Sequence, residues 1–256
     1  MNYKGYLIDL DGTIFRGNEL IDGAKEFIDY LIERNYPYLF ITNNATYTIE
    51  MILKKLNGLG IKADEENILT SAMATAQYIK EKNKQAHCYV IGETGLIHAL
   101  ENEDLIVTDV NCDYVIVGLD RKVTYDKLAK ACLLVRDGAQ FILTNKDAAI
   151  PTEIGLLPGN GSIGAVISYS TGVEPVCIGK PESIIMEEAI KKIGISNKEL
   201  LMIGDNYHTD IQAGINAQID TLMVLTGYST KEDLQVVEVQ PTYVMEDLKS
   251  WLFEKA

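Results

Sequence analysis

Tyr6-Leu7-Ile8-Asp9-Leu10-Asp11-Gly12-Thr13 is the stretch whose reading decides the fold. Tyr6 to Ile8 form an apolar run without polar alternation, the pattern of a strand covered on both faces of a parallel sheet. Asp9 and Asp11 then fall at the carboxyl end of that strand, where open α/β sheets place their ligands. Residues two apart in an extended segment point the same way, so both carboxylates can face one site. Gly12 permits a tight turn, and the Thr13 hydroxyl can satisfy it. Two acids crowded beside an apolar strand repel each other unless a cation joins them, so a metal is the natural third party. A solvated Asp-Gly turn is the plain alternative. A calcium loop is excluded, because an EF-hand needs glycine at its sixth position and glutamate at its twelfth. Counted from Asp9, the glycine comes fourth and the twelfth residue is Leu20.

Outward from this strand, an alternating rhythm appears. Ala24, Phe27, Ile28, Leu31 and Ile32 recur at helical spacing, which predicts an amphipathic helix from Gly23 to Arg34. Tyr38 to Ile41 read as a second strand ending at Thr42-Asn43-Asn44. A helix follows with Ile49, Ile52, Leu53 and Leu56 on one stripe, then a brief strand at Ile68 to Thr70 and a helix from Met73 to Lys82. The β-α-β-α order predicts a doubly wound, mainly parallel sheet. Lys80 to Lys84 read as a linker. Beyond it the rhythm restarts: strands at His87 to Ile91, Tyr114 to Val117, Phe141 to Leu143 and Val176 to Ile178 alternate with helices at Thr94 to Glu101, Tyr125 to Val135 and Ser162 to Tyr169. We read this as a second α/β unit, residues 83–177, inserted into a discontinuous core of residues 1–82 and 178–256. The core then resumes with a helix through Ile184 to Ile193, strands at Leu200 to Ile203 and Thr221 to Leu225, and a terminal helix around Trp251.

The totals agree with an ordinary soluble, globular protein. A 47% hydrophobic share over 256 residues suffices for a real core, and the net charge of −14 disfavours nucleic-acid polymers and anionic membranes as partners. Any anionic substrate must meet a bound metal or a few placed lysines. Cys88, Cys112, Cys132 and Cys177 are scattered without a C-x-x-C pair, which suits reduced thiols better than a disulfide set or a zinc site. No signal pattern or membrane-length apolar run is seen, so a cytoplasmic protein is expected.

Strand ends deliver polar residues to one edge of the predicted core sheet: Asp9 and Asp11, Thr42 with Asn43, Lys180, then Asp205 with Asp210. Singly, each has a plainer reading. Thr42, Asp205 and Asp210 could cap helices, and Lys180 could be a solvated turn lysine. Gly159-Asn160-Gly161-Ser162-Ile163-Gly164 matches G-x-G-x-x-G, but Pro158 stands where a strand should run in and no strand-terminal acid follows about twenty residues on. It reads instead as a turn into a helix. A P-loop at Lys180 fails because Glu174 stands where a glycine is needed and Pro181 replaces the hydroxyl residue.

Asp9-Leu10-Asp11-Gly12-Thr13, Thr42, Lys180 and Gly204-Asp205-Asn206 through Asp210 together resemble the four motifs of the haloacid dehalogenase superfamily. The insertion, with Ile41-Thr42-Asn43-Asn44, Thr70 to Ala76, Tyr114 to Gly118 and Gly179-Lys180-Pro181, resembles the NagD-like phosphatases with a type II, subclass A cap. The resemblance implies a Rossmann-like core with an inserted α/β cap, and a Mg²⁺-dependent phosphatase acting on small phosphorylated metabolites such as sugar phosphates or nucleoside monophosphates. It implies Asp9 as nucleophile and Asp11 as general acid and base. Mg²⁺ would be held by Asp9, the Asp11 backbone carbonyl and Asp205, while Thr42 and the Asn43 amide would bind the phosphoryl oxygens, with Asn44 beside them. Lys180 would neutralise the transferring group, and Asp210 and Asn206 would support the site from behind. In the cap, Asn145, Lys146, Asp147 and Asn160 are the candidate substrate contacts. Tyr207 and His208 depart from the family pattern, and a solvated loop role is the expectation for His208. A phosphomutase on the same scaffold and a receiver-like phospho-acceptor domain are the alternative functions, and a homo-oligomer stays open.

Overall fold

The computed structural model describes residues 3–152 and 154–255, with side chains in the terminal helix described as far as residue 252. The chain folds as two units: residues 1–42, 51–69 and 180–256 form one, and residues 43–50 and 70–179 the other. The second unit thus begins its main segment at Thr70 and ends at Gly179, where the sequence expects residues 83 and 177.

The first unit is built on a six-stranded sheet ordered Tyr243–Met245, Asp220–Val224, Leu200–Gly204, Gly5–Ile8, Tyr38–Thr42, Ile68–Thr70. Adjacent strands from Tyr243–Met245 through Tyr38–Thr42 run parallel. Numbered by position in the chain, this is a 3-2-1-4-5-6 order, so the first strand lies centrally and the order reverses between it and Leu200–Gly204. Leu7, Ile8, Phe40, Ile41, Met202, Ile203 and Leu222 are fully buried. Each such side chain contributes about 1.5–3 kcal/mol relative to an exposed one, which is why these runs tolerate no polar alternation. Ala24–Glu33 buries Ala24, Phe27, Ile28 and Leu31 of the expected stripe, while Ile32 is half-buried.

The second unit carries its own parallel sheet, ordered Val176–Cys177, Gln140–Leu143, Tyr114–Val117, His87–Ile91, Ile106–Val107. The helix Ser71–Lys82 belongs to this unit and packs on Thr94–Asn102. Its start is capped by Thr70, whose Oγ1 accepts from the Met73 N–H at 3.1 Å. The expected linker Lys80 to Lys84 is corrected here, because Lys80 and Lys82 form the last helical turn, where cations complement the carbonyl end of the helix dipole. An antiparallel hairpin, Ala149–Thr152 with Gly155–Pro158, precedes the helix Asn160–Thr171. The Gly159-Asn160-Gly161 segment is a turn into a helix as expected, but a strand, Gly155–Pro158, does run into it, against the sequence reading of Pro158.

Candidate active site

Three neighbouring strand ends bring the chemistry together. Ile8 pairs with Ile203 on one side and Phe40 on the other, so Asp9, Asp205 and Thr42 leave the sheet side by side at its carboxyl edge, at the point where strand order reverses. Parallel neighbours lie roughly 4.8 Å apart, which turns a sequence separation of nearly two hundred residues into side-chain contact. The Asp9 N–H continues the ladder by donating to the Ile203 carbonyl at 2.9 Å. One carbonyl then organises the turn: Leu10 O accepts from the N–H groups of Thr13, Ile14 and Phe15. Gly12 sits at φ +98°, a conformation side chains rarely adopt, and a Cβ there would lie 2.8 Å from Asp205 Oδ1. The Thr13 hydroxyl reaches Asp205 Oδ1 at 3.4 Å rather than closing its own turn as the sequence suggested, because backbone N–H groups already satisfy the loop.

Lys180 is 2% exposed, which rules out a solvated turn lysine. Its Nζ lies 2.5 Å from Asp9 Oδ1, 2.6 Å from Asp210 Oδ1 and 2.9 Å from the Ile41 carbonyl oxygen, to which it donates. An ammonium has three hydrogens, and three acceptors surround it. Burial pushes its pKa down, but Asp210 and Asp9 outweigh burial and hold it above the usual lysine range. Asp9 moves the other way: burial and Asp210 push its carboxyl well above the ordinary range against the pull of Lys180. Asp205 is pushed up to about 6 by burial and then by Asp210, with the Tyr228 N–H pulling it down.

Asp210 is set by local geometry. Residues Tyr207–Ile211 form a single π-helical turn, a form that recurs at functional sites. Its Oδ2 accepts from the Asn206 N–H at 3.1 Å, leaving Oδ1 to Lys180. Asn206 Oδ1 accepts from the His208 N–H at 3.0 Å, so Asn206 shapes this turn. His208 is exposed, in keeping with the solvated role expected for it.

Carboxylate oxygens of Asp9, Asp205 and Asp210 lie within 4.8 Å of one another, and all three residues are buried. Three carboxylates against one ammonium leave two uncompensated negative charges when all are ionised, so the cluster calls for a cation. Its donors are all carboxylate oxygens, the set that suits a hard divalent ion. The Asp11 side chain lies outside this cluster. Desolvation by the surrounding protein pushes its carboxyl upward, with Lys55 and Lys180 pulling the other way, while the residue keeps a solvent-facing surface. Thr42 is buried at the end of its strand.

The remaining expected contacts lie in the second unit. Asn44 Oδ1 accepts from the Thr46 N–H, the Thr46 hydroxyl and the Tyr47 N–H, which makes it the organiser of its own loop. The Asn43 carbonyl accepts from the Ser71 hydroxyl at 2.9 Å. Asn160 is 1% exposed, and its Nδ2 donates to Val117 O at 3.0 Å and Asn145 O at 3.0 Å, joining two strand ends. Asn145 Nδ2 in turn donates to Asp147 Oδ2. Through its Nδ2, Asn160 holds these two strand ends together. Asn160→Ala will strand buried carbonyls and cost about 1–3 kcal/mol, read as a lower urea midpoint.

Sequence reasoning missed two contributors. Lys55 lies over the Phe15 ring at 3.6 Å and within electrostatic reach of Asp11. Thr226 to Ser229 follow a fifth strand end and bond to Gly12 and Asp205. The second of these grips Asp205 through the Tyr228 and Ser229 backbone N–H groups, so no residue type in the sequence marks it.

A parallel sheet that reverses order above a lysine-gripped cluster of carboxylates defines an α/β protein with a charged site at its switch point. Family models match accordingly: residues 6–106 to the haloacid dehalogenase-like hydrolases and residues 177–251 to the HAD-hydrolase-like group. The chain belongs to the haloacid dehalogenase-like family, in its NagD-like branch. It is 52% identical over 250 residues to the 5'-nucleotidase YutF of Bacillus subtilis, covering 98% of each chain. It is 51% identical over 254 residues to an acid sugar phosphatase of Staphylococcus saprophyticus, covering 99% of this chain and 98% of that one. The structure of NagD from E. coli K-12 superposes with a TM-score of 0.92 at 32% identity, over 97% of this chain and 98% of that one.

Proposed function

We propose that the protein is a Mg²⁺-dependent phosphatase that hydrolyses small phosphomonoesters through an aspartyl-phosphate on Asp9. The observation that carries this reading is Lys180 bridging Asp9 and Asp210 at 2.5 and 2.6 Å inside a buried cluster with Asp205. Asp9, the Asp11 backbone carbonyl and Asp205 would hold the ion. When bound, Mg²⁺ supplies positive charge between the nucleophile and the phosphate it approaches.

The side chains divide the remaining work. Asp9 attacks phosphorus, forming an O–P bond as the bond to the ester oxygen breaks. Asp11 delivers a proton to that departing oxygen, then takes one from the water that hydrolyses the aspartyl-phosphate and releases phosphate. Thr42 and the Asn43 N–H donate to the phosphoryl oxygens. Lys180 stays protonated throughout and, held by Asp210, pulls Asp9 toward its ionised form.

The relatives' names, a 5'-nucleotidase and an acid sugar phosphatase, support nucleoside monophosphates and sugar phosphates as the substrate class. Substrate choice is assigned in this proposal to the inserted unit's Asn145–Asp147 loop, with Asn160 setting its shape. No described helix is long and apolar enough to cross a membrane, and the four cysteines are free, which supports a cytoplasmic place of work.

Turnover of p-nitrophenyl phosphate measured with Mg²⁺ and with EDTA tests the proposal, and turnover unaffected by EDTA overturns the metal dependence. Asp11→Asn will slow turnover by about 10²–10⁴-fold. A loss smaller than about tenfold removes Asp11 from proton transfer.

A further inference from the structure

We propose that Thr226-Gly227-Tyr228-Ser229, a segment carrying none of the reacting groups, is a strap that positions the metal site, with Gly227 and Thr226 as its positioning residues. The inference rests on the metal reading above and goes beyond it by naming what holds the Asp205 carboxylate in place. The strap leaves the fifth strand end and grips two loops far apart in sequence. On one side, the Thr226 hydroxyl donates to the Gly12 carbonyl at 2.7 Å, and the Arg16 guanidinium donates to the Thr226 carbonyl. This ties it to the turn that carries Asp11. On the other side, the Tyr228 N–H donates to Asp205 Oδ2 at 2.6 Å, and the Ser229 N–H donates to the Asp205 carbonyl at 3.1 Å. The Ser229 hydroxyl accepts from the Tyr207 N–H at 3.0 Å, and the Tyr207 hydroxyl donates to the Val239 carbonyl at 2.7 Å. Both ends of the Asp205-Asn206-Tyr207 segment are thereby clamped.

The carboxylate itself sits between two glycines. Gly12 presses on it from the first loop and Gly227 from the strap, where a Cβ would lie 2.7 Å from the Asp205 Cβ and nearer still to the carboxylate. Any side chain at residue 227 must push Asp205 aside. With Oδ2 held by the Tyr228 N–H at 2.6 Å and Oδ1 3.4 Å from the Thr13 hydroxyl, the carboxylate is held in one orientation. Gly227 and Tyr228 are themselves exposed, Tyr228 by 69%. The strap therefore adds little to the core, and its contacts converge on the ligand-bearing loops. Groups that orient metal ligands typically change affinity by about 10–100-fold when altered.

The test uses Mn²⁺ as an EPR-visible probe on the full chain, alongside metal-free thermal melts. Wild type will bind Mn²⁺ and Asp205→Asn will lose it; absence of binding by wild type overturns the metal reading and this inference with it. Gly227→Ala will weaken Mn²⁺ binding by about 10–100-fold, a larger loss than any fall in its metal-free melt accounts for. Thr226→Val, which needs no extra space, will weaken binding by about threefold, and Thr226→Ser will restore it. This pair decides the matter if Gly227→Ala does not fold. With wild type binding normally, Mn²⁺ affinities of folded Gly227→Ala and Thr226→Val within about twofold of wild type overturn the strap alone. So does a fall in the metal-free melt that accounts for the lost affinity.

Discussion

Asp9→Asn will abolish turnover of p-nitrophenyl phosphate, lowering kcat by about 10⁴-fold or more, as the removal of an attacking side chain does elsewhere. An amide oxygen cannot form the acyl-phosphate bond, whereas Thr42, Lys180 and Asp11 all survive the change. The fold should survive too. The Asp9 N–H keeps its bond to Ile203 O, and an asparagine oxygen can still accept from Lys180 Nζ. The electrostatic side of the change has a definite sign. Asp9 is one of three buried carboxylates facing a single lysine, and burial and Asp210 both work against its charge. Deleting that charge relieves repulsion, so the metal-free variant will melt no lower than metal-free wild type. Loss of activity combined with an unchanged or raised melting temperature separates a missing nucleophile from a damaged fold. Turnover within about tenfold of wild type would remove Asp9 from covalent chemistry.

The elements legible in the sequence share a physical cause. Tyr6 to Ile8 and Leu200 to Ile203 are continuous apolar runs because their strands are buried on both faces, and Asp9 and Asp205 stand out by ending them. What stayed hidden is short or made of backbone. Phe15–Arg16 with Glu19–Leu20 and Ile106–Val107 are two-residue strands, too brief for any period. The hairpin at Ala149–Pro158 is largely exposed and contains Pro151 and Pro158, both of which argue against a strand when read alone. The helix Ser71–Lys82 was visible as a helix, but chain rhythm does not tell which body an amphipathic helix packs against. In the site, the acids and Lys180 announced themselves by charge. The strap did not, because Tyr228 contributes an N–H and Gly227 contributes the absence of a Cβ. Asp210 lies between these cases: its place after Asp205 was readable, while the π-helical turn that aims it at Lys180 was not.

Lys180→Met will destabilise the protein by about 3–5 kcal/mol, the cost of removing one partner from a buried ion pair and leaving the other charge in place. Methionine matches the length and much of the volume of the lysine stem, so packing loss is minor and the electrostatic term dominates. Wild-type Lys180 offsets Asp9 and Asp210 at once and also satisfies the Ile41 carbonyl, so its loss leaves three acceptors without their donor. The pKa directions fix which way the cluster responds. Asp9 and Asp205 are already pushed upward with the lysine present, and Lys180 is one of the groups pulling each of them down. Without it their carboxyls rise further. A carboxyl whose folded pKa exceeds its unfolded value favours folding below the unfolded pKa and loses that contribution as pH rises through the folded one. The deficit of Lys180→Met relative to wild type will therefore be smaller near pH 5 than near pH 8 in metal-free buffer. Urea denaturation at the two pH values reads this directly. An equal deficit at both would mean that the methionine destabilises by packing, and that the ammonium is not what permits three carboxylates to share this space.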